Sequence, residues 1–367
     1  MIKTEPMFSD GGPLSEVLQE WEPRQQQVEM ANAVATTLEN KGKLLVEAGT
    51  GVGKTFGYLV PAIRRIIDHG ETVVVSTNTI TLQEQIVKHD APILHAAFGG
   101  GFETVLVKGR GNYISLRRLA RAQKQRNTLL HDAKGVQQLA DIERWSQTTD
   151  DGSKATLPFL PRGDVWELVK SDNARCLGRK CPTYGDCFYQ NARRAMERGN
   201  LLICNHALFF SDLALRMRGA GFLPRYDHVI FDEAHAIEDV AADHFGASIS
   251  ESQVEYFLRS LVPISKNRLT KGFLHLLEAK GNASEMLSQC VELVLHCRAQ
   301  SQTFFDALVQ WKLDFAPSNG RVSSPGIVED CLSGPLLALG KHLTLLRESL
   351  EDDAEAIECG GFAVRAL

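Results

Sequence analysis

Nothing in this 367-residue sequence is long and apolar enough for a membrane helix, since no apolar run approaches the ~18 residues one needs. Nor does the start, Met1 to Pro6 (Met-Ile-Lys-Thr-Glu-Pro), have the apolar stretch of a secretory signal. Cysteine is scarce, and eight residues in a chain this long exclude a disulfide scaffold. Neither sign of charge dominates: a net charge of -5 excludes a protein held on nucleic acid by overall charge alone. Internal repeats and low-complexity tracts are also missing. What remains reads as a soluble, intracellular protein in a reducing compartment. With 44% hydrophobic and 23% charged residues, the chain has the composition of a packed core and the length of two or three domains.

Charge and cysteine are nevertheless unevenly placed. Between Lys108 and Arg126 lie seven basic residues and no acidic one. Charge alone reads this as a solvated helix face, with a phosphate-binding patch as the alternative. Three of the eight cysteines, Cys176, Cys181 and Cys187, are clustered, which points to metal.

The periodicity indicates an α/β fold. Val28, Ala31, Ala35 and Leu38 recur at helical spacing after Pro23. The apolar run 43–47 predicts a buried strand entering a glycine loop, followed by a helix from Lys54 to about Ile67. Further strands are expected at 72–76, 104–107, 201–203 and 228–231, which alternate with helical stretches as in a parallel sheet covered on both faces. Two stretches interrupt this pattern. One, roughly 109–198, is basic and carries the clustered cysteines. The other, roughly 246–357, is helical: Met286, Cys290, Leu293, Cys297, Phe304, Leu308 and Trp311 form one stripe, and Leu336, Leu339, Leu343, Leu346 and Leu350 another. Cys290 and Cys297 therefore read as small buried apolar residues.

Ala48-Gly-Thr-Gly-Val-Gly-Lys-Thr55 is a phosphate-binding loop with Ala at the first glycine position. Its glycines (Gly49, Gly51, Gly53), with Thr50 and Val52 between them, let backbone N–H groups turn inward, and the following helix points its positive end at the phosphates. Lys54 is expected on the β- and γ-phosphates and the Thr55 hydroxyl on Mg²⁺. In Val229-Ile-Phe-Asp-Glu-Ala-His235 an apolar strand delivers Asp232 and Glu233 to the sheet edge where ligands bind. Asp232 is expected to hold Mg²⁺ through water and Glu233 to orient and polarise the attacking water. The pair of motifs describes an ATPase-type site, with His235 completing the second motif.

Asp-Glu-Ala-His after such a loop resembles the superfamily-two helicases. Trp21-Glu-Pro-Arg-Gln-Gln-Gln27 is similar to that group's adenine-reading segment, with Arg24 and Gln27 as the contacts, and Ser76 to Gln85 to its first DNA-contacting motif. Lys108-Gly-Arg-Gly-Asn-Tyr113, the stretch from Cys176 to Pro182, Cys187 and Cys204-Asn-His206 resemble the DinG/YoaA branch of the xeroderma D-type iron–sulfur DNA helicases. The resemblance runs from about Glu20 to Ala242 and more loosely through the helical remainder.

The resemblance implies an ATP-driven 5′-to-3′ DNA helicase acting in repair or replication, with ATP, Mg²⁺ and a four-iron (4Fe-4S) cluster as cofactors. The implied fold is a RecA-like P-loop parallel sheet at 1–108 and 199–245, an inserted iron–sulfur domain at 109–198, a helical arch at 246–358, and a return to the motor domain at 359–367. It gives the basic stretch a meaning: Lys108, Arg110, Arg117 and Arg118 on DNA phosphates and Tyr113 as a stacking platform. Thr77, Asn78, Asn205 and His206 join as contacts or coupling residues. The implied partners are single-stranded or forked DNA and a repair or replication protein on the helical insertion, in a bacterial cytoplasm or nucleoid.

Two departures stand out. The family's first cysteine position reads Ser115, so Cys176, Cys181 and Cys187 are the thiolates left, and a hydroxyl is a harder, poorer iron ligand. Iron–sulfur, zinc and three reduced cysteines all remain open. Motifs of a second RecA-like domain, including its arginine finger, are missing, so the expectation is the N-terminal part of a longer helicase. The competing reading is a nucleotide- and single-stranded-DNA-binding module with little hydrolysis.

Overall fold

The computed structural model describes residues 4–367 apart from 19, 50, 131, 247, 265–271, 278–281, 316–319 and 323. The chain divides into two compact units, residues 1–109 with 190–247, and residues 110–189 with 248–367.

The first unit is built on a four-stranded parallel sheet: β1 (Val73–Thr77), β2 (Thr104–Leu106), β3 (Leu201–Asn205) and β4 (His228–Phe231), in the order β2-β3-β1-β4. β1 runs beside β3 from the Val73–Leu201 pair to the Thr77–Asn205 pair, and β4 flanks it on the other side from Val73–His228 to Ser76–Phe231. The central strands are apolar at successive positions because both faces are covered. Alternation divides them between two cores: Val73, Val75, Leu201 and Ile203 pack on one face with Leu59, Ile63 and Ile66 of the Lys54–His69 helix. Val74, Leu202 and Cys204 pack on the other with Phe209 and Phe210 of the His206–Arg216 helix. The Gln25–Glu39 helix buries Ala31, Val34, Ala35 and Leu38, as its spacing predicts.

One expected strand is not formed. Residues 43–47 are irregular, with Leu44, Leu45 and Val46 exposed and Leu45 at 88%. An apolar run becomes a strand only where a neighbour completes its backbone ladder, and among the described residues β4 ends the sheet on that side.

The second unit has two cores of its own. Ile114, Leu119, Leu139, Ile142, Val165 and Trp166 form one around the Leu116–Lys124, Ala133–Ser146 and Gly163–Val169 helices. The other joins the Glu251–Leu261 helix, the 34-residue Asn282–Phe315 helix, and the Ser333–Glu348 and Asp353–Ala366 helices. Both helical stripes reach this core: Cys290, Cys297, Leu339, Leu343 and Leu346 are fully buried, with Met286, Leu293, Phe304, Leu336 and Leu350 packed around them. Residues 359–367 are the last turns of the Asp353–Ala366 helix and its C-terminal residue, and Phe362 lies in this same core.

Candidate functional site

The ends of β1, β3 and β4 and the start of the Lys54–His69 helix converge within the first unit. Gly51 and Gly53 have φ of +84° and +81°, a left-handed backbone that favours glycine. A side chain at Gly51 would project into open space, whereas one at Gly53 would meet the Gln27 amide at 2.1 Å. Gln27 donates Nε2–H to the Gly53 carbonyl at 2.7 Å, and the Arg24 guanidinium donates to the Gly51 carbonyl. Arg24 and Gln27, expected as base contacts, are thus the braces of the glycine loop. Gly49 is also open around its Cα. Thr50 lies outside the described residues, and Ala48 and Val52 complete the turn.

Lys54 opens the helix, and its Nζ lies 3.7 Å from Glu233 Oε1. The neighbouring Asp232 donates its backbone N–H to the Ser76 carbonyl at 2.8 Å, which closes the β1–β4 ladder, and its Oδ2 accepts from the Tyr58 hydroxyl at 3.1 Å. Burial and the Asp232 charge hold the Tyr58 phenol protonated, while its hydrogen bond with Thr55 works the other way. Thr55 and Asp232, the expected Mg²⁺ ligands, therefore share one neighbour. Tyr58 was not singled out from sequence, although it stands one helical turn beyond Lys54 on the same face. Glu233 has φ +58° and ψ +48°, an unusual conformation for a residue with a side chain, which directs its carboxylate between Lys54 and the exposed His235, 3.4 Å away. Open glycine backbone, a lysine, a hydroxyl and a carboxylate pair in this arrangement fit a Mg²⁺-bound polyphosphate.

Beneath the carboxylates, His206 is buried at the end of β3, its Nδ1 2.7 Å from Ser76 Oγ. Its Nε2 is buried without a hydrogen-bond partner, and burial lowers the imidazole pKa and favours the neutral ring. Asn205 caps the following helix by accepting from Leu208 N–H at 2.8 Å. Thr77 is buried and donates to the Thr79 carbonyl at 3.1 Å, while Asn78 is exposed. These residues sit at the ends of β1 and β3, and Asn78 alone among them is exposed.

The basic stretch is used differently from the expectation. Lys108 is half-buried at the edge of the first unit. In the second unit Arg118 is only 8% exposed, and donates to the Lys170 carbonyl and, at 2.7 Å, to the Glu167 carbonyl, capping the end of the Gly163–Val169 helix. Burial, and next the nearby Arg175 charge, bring it down to about 10. Arg117 donates to the Arg175 carbonyl at 2.6 Å. Arg110 bonds Ser171 and Asn173 at 3.1 and 2.8 Å and lies 4.4 Å over the Tyr189 ring. Tyr113 is 4% exposed and meets Tyr189 edge-on, so the expected stacking platform is inside the fold. Backbone carbonyls and polar side chains of the tertiary fold thus engage Arg110, Arg117 and Arg118, while Lys124 and Arg126 are exposed.

The cysteines do not build a metal shell. Cys176 accepts from Gly178 N–H at 3.4 Å, Cys181 lies 3.4 Å from the Thr183 hydroxyl, and Cys187 is half-buried. The Ser115 hydroxyl caps the Leu116–Lys124 helix. Among the described residues no group of three or more His, Cys, Asp or Glu is arranged to hold a metal, so these residues do not fit a four-ligand iron–sulfur site. Cys204 is buried in β3 and its thiol is pushed up to about 12 by burial.

Comparison with known families gives the class. Residues 26–125 match the DEAD/DEAH box helicase model and residues 166–254 the DEAD_2 model. Among individual proteins, it is 37% identical over 252 residues to the ATP-dependent DNA helicase YoaA of Escherichia coli, covering 67% of this chain and 38% of that one. YoaA of Haemophilus influenzae is 35% identical over 250 residues (68% and 38%), and the ATP-dependent helicase DinG of Mycobacterium tuberculosis 31% over 264 residues (68% and 39%). The chain thus spans about two fifths of the length of these curated relatives. No helix among the described residues is long and apolar enough to cross a membrane.

Proposed function

We propose that the chain is the nucleotide-binding motor portion of an ATP-dependent DNA helicase, with the 5′-to-3′ direction implied by its family resemblance. The observation that carries this reading is the approach of Lys54 to Glu233 beside the Asp232–Tyr58 pair, at the mouth of a left-handed glycine loop. In the proposed cycle the loop N–H groups and Lys54 bind the β- and γ-phosphates, and Lys54 leaves Glu233 to do so. Thr55, and Asp232 through water, would hold Mg²⁺, which would supply neutralisation of the phosphate charge, and the freed Glu233 orients the attacking water. Arg24 and Gln27 hold the loop in its binding shape. Asn78, at the end of β1, and Lys108 are the residues proposed to meet single-stranded DNA.

The test is calorimetric titration of Mg²⁺-ATP. Lys54→Ala is expected to weaken binding at least tenfold, and Glu233→Gln to preserve or tighten it by freeing Lys54, while abolishing whatever hydrolysis the chain performs. Unchanged ATP affinity in Lys54→Ala refutes the site. A second reading, a nucleotide-binding module without turnover, is favoured by the same Lys54–Glu233 pair, which occupies the group needed for the water. Tight ATP binding without multiple turnovers, with and without single-stranded DNA, distinguishes it.

A further inference from the structure

The cysteine-bearing part of the second unit is tied to the C-terminal helix by side chains whose roles the basic-patch reading concealed. Glu358, on the Asp353–Ala366 helix, accepts from Arg121 through Oε2, and its Oε1 lies 3.5 Å from Arg175. Asp172, four residues before Cys176, takes Arg365 of the same helix at 3.2 Å and Arg175 at 3.8 Å. The Arg175 guanidinium also lies 4.9 Å over the Phe362 ring. The carboxylates are 12% and 18% exposed, so the ion pairs are largely withdrawn from solvent. Against this, Ser115 spends its hydroxyl on a helix cap and the three cysteines form no metal-holding group.

We infer that the second unit folds without an iron–sulfur cluster, and that an arginine latch centred on Glu358 and Asp172 joins its cysteine-bearing segment to its helical segment. In a metal-dependent fold the ligands converge and binding energy is folding energy. Here the corresponding junction is made by charge pairs and by the apolar contact under Arg175. Cationic groups outnumber carboxylates, since Arg118 also stands near Arg175. Removing a carboxylate therefore leaves arginines facing one another, and is expected to harm the fold more than removing one arginine does.

The test uses the full chain, purified without oxygen from iron-replete cells. Iron and acid-labile sulfide are expected well below one per chain. The melting temperature by circular dichroism should be unchanged by an iron chelator and by the combined Cys176→Ser, Cys181→Ser and Cys187→Ser variant. Glu358→Gln should lower it by roughly 5 °C or more, and Arg121→Gln by less. Should Glu358→Gln not fold, Arg121→Lys and Arg365→Lys, which keep charge but lose the planar fork, should each lower the melt by a smaller step. About four irons and sulfides per chain overturns the inference, whether or not their removal unfolds the protein. Melting temperatures indifferent to Glu358→Gln, or to both lysine variants, overturn the latch.

Discussion

Tyr58 illustrates how one side chain joins the parts of the candidate site. Its hydroxyl donates to Asp232 and its ring packs in the core of the first unit, so it fixes a carboxylate with the rigidity of a buried aromatic. Tyr58→Phe keeps the packing and removes the donor. It is expected to cost roughly 1.5–3 kcal/mol of the first unit's stability, the range for a hydrogen bond to a charged group, read from urea unfolding. Arg118 shows the opposite displacement of role: a residue expected on DNA is buried as a helix cap. Arg118→Ala should cost roughly 2–3 kcal/mol by leaving helix-end carbonyls unpaired. It should leave the salt dependence of single-stranded DNA binding unchanged, because that slope counts phosphate contacts and the Arg118 guanidinium is engaged with the Lys170 and Glu167 carbonyls. A flattened slope with intact stability would restore the original reading.

Among the elements, the junction below β1 and β4 is a second charged anchor, remote in role from catalysis. Glu71 accepts two hydrogen bonds from Arg65, at the end of the Lys54–His69 helix, and lies 2.8 Å from His228 at the start of β4. Arg65 and His228 hold the Glu71 carboxyl down at about 2 against an ordinary 4.5, although burial opposes them. A lowered carboxyl pKa stabilises the fold wherever the unfolded state would bind the proton and the folded state does not. The Glu71 contribution is therefore complete above about pH 4.5 and is lost as the pH falls toward 2. Glu71→Gln should destabilise the first unit by roughly 1.5–3 kcal/mol at pH 7 and by progressively less on acidification. Equal destabilisation at pH 7 and pH 3 would mean that the carboxylate charge is not what holds this corner.

For the chain as a whole, each unit has its own apolar cores, and each has its own charged anchor: Glu71 in the first and Glu358 in the second. Cores that are not shared are the condition for separate unfolding transitions. Scanning calorimetry is expected to show Glu71→Gln lowering one transition and Glu358→Gln another, with Mg²⁺-ATP raising the first alone. One transition moved equally by all three would contradict that separation.

What the sequence determined by itself is local. Successive apolar residues at 73–75 and 201–203 favour a strand buried on two faces, and leucines three and four apart a helix stripe. The glycine loop and Lys54 stood out because a left-handed turn restricts which residues can stand at each position, and Asp232 and Glu233 because an apolar strand ends in them; the fold brings Lys54 to 3.7 Å from Glu233. Tertiary structure decided what depends on a distant partner. Whether 43–47 forms a ladder depends on the strand beside it, and whether Arg117, Arg118 and Arg121 face solvent depends on carbonyls and carboxylates from about 50 to more than 200 residues away. Charge is cheap in water and costly inside, so a buried arginine shows its function only when its acceptors are known.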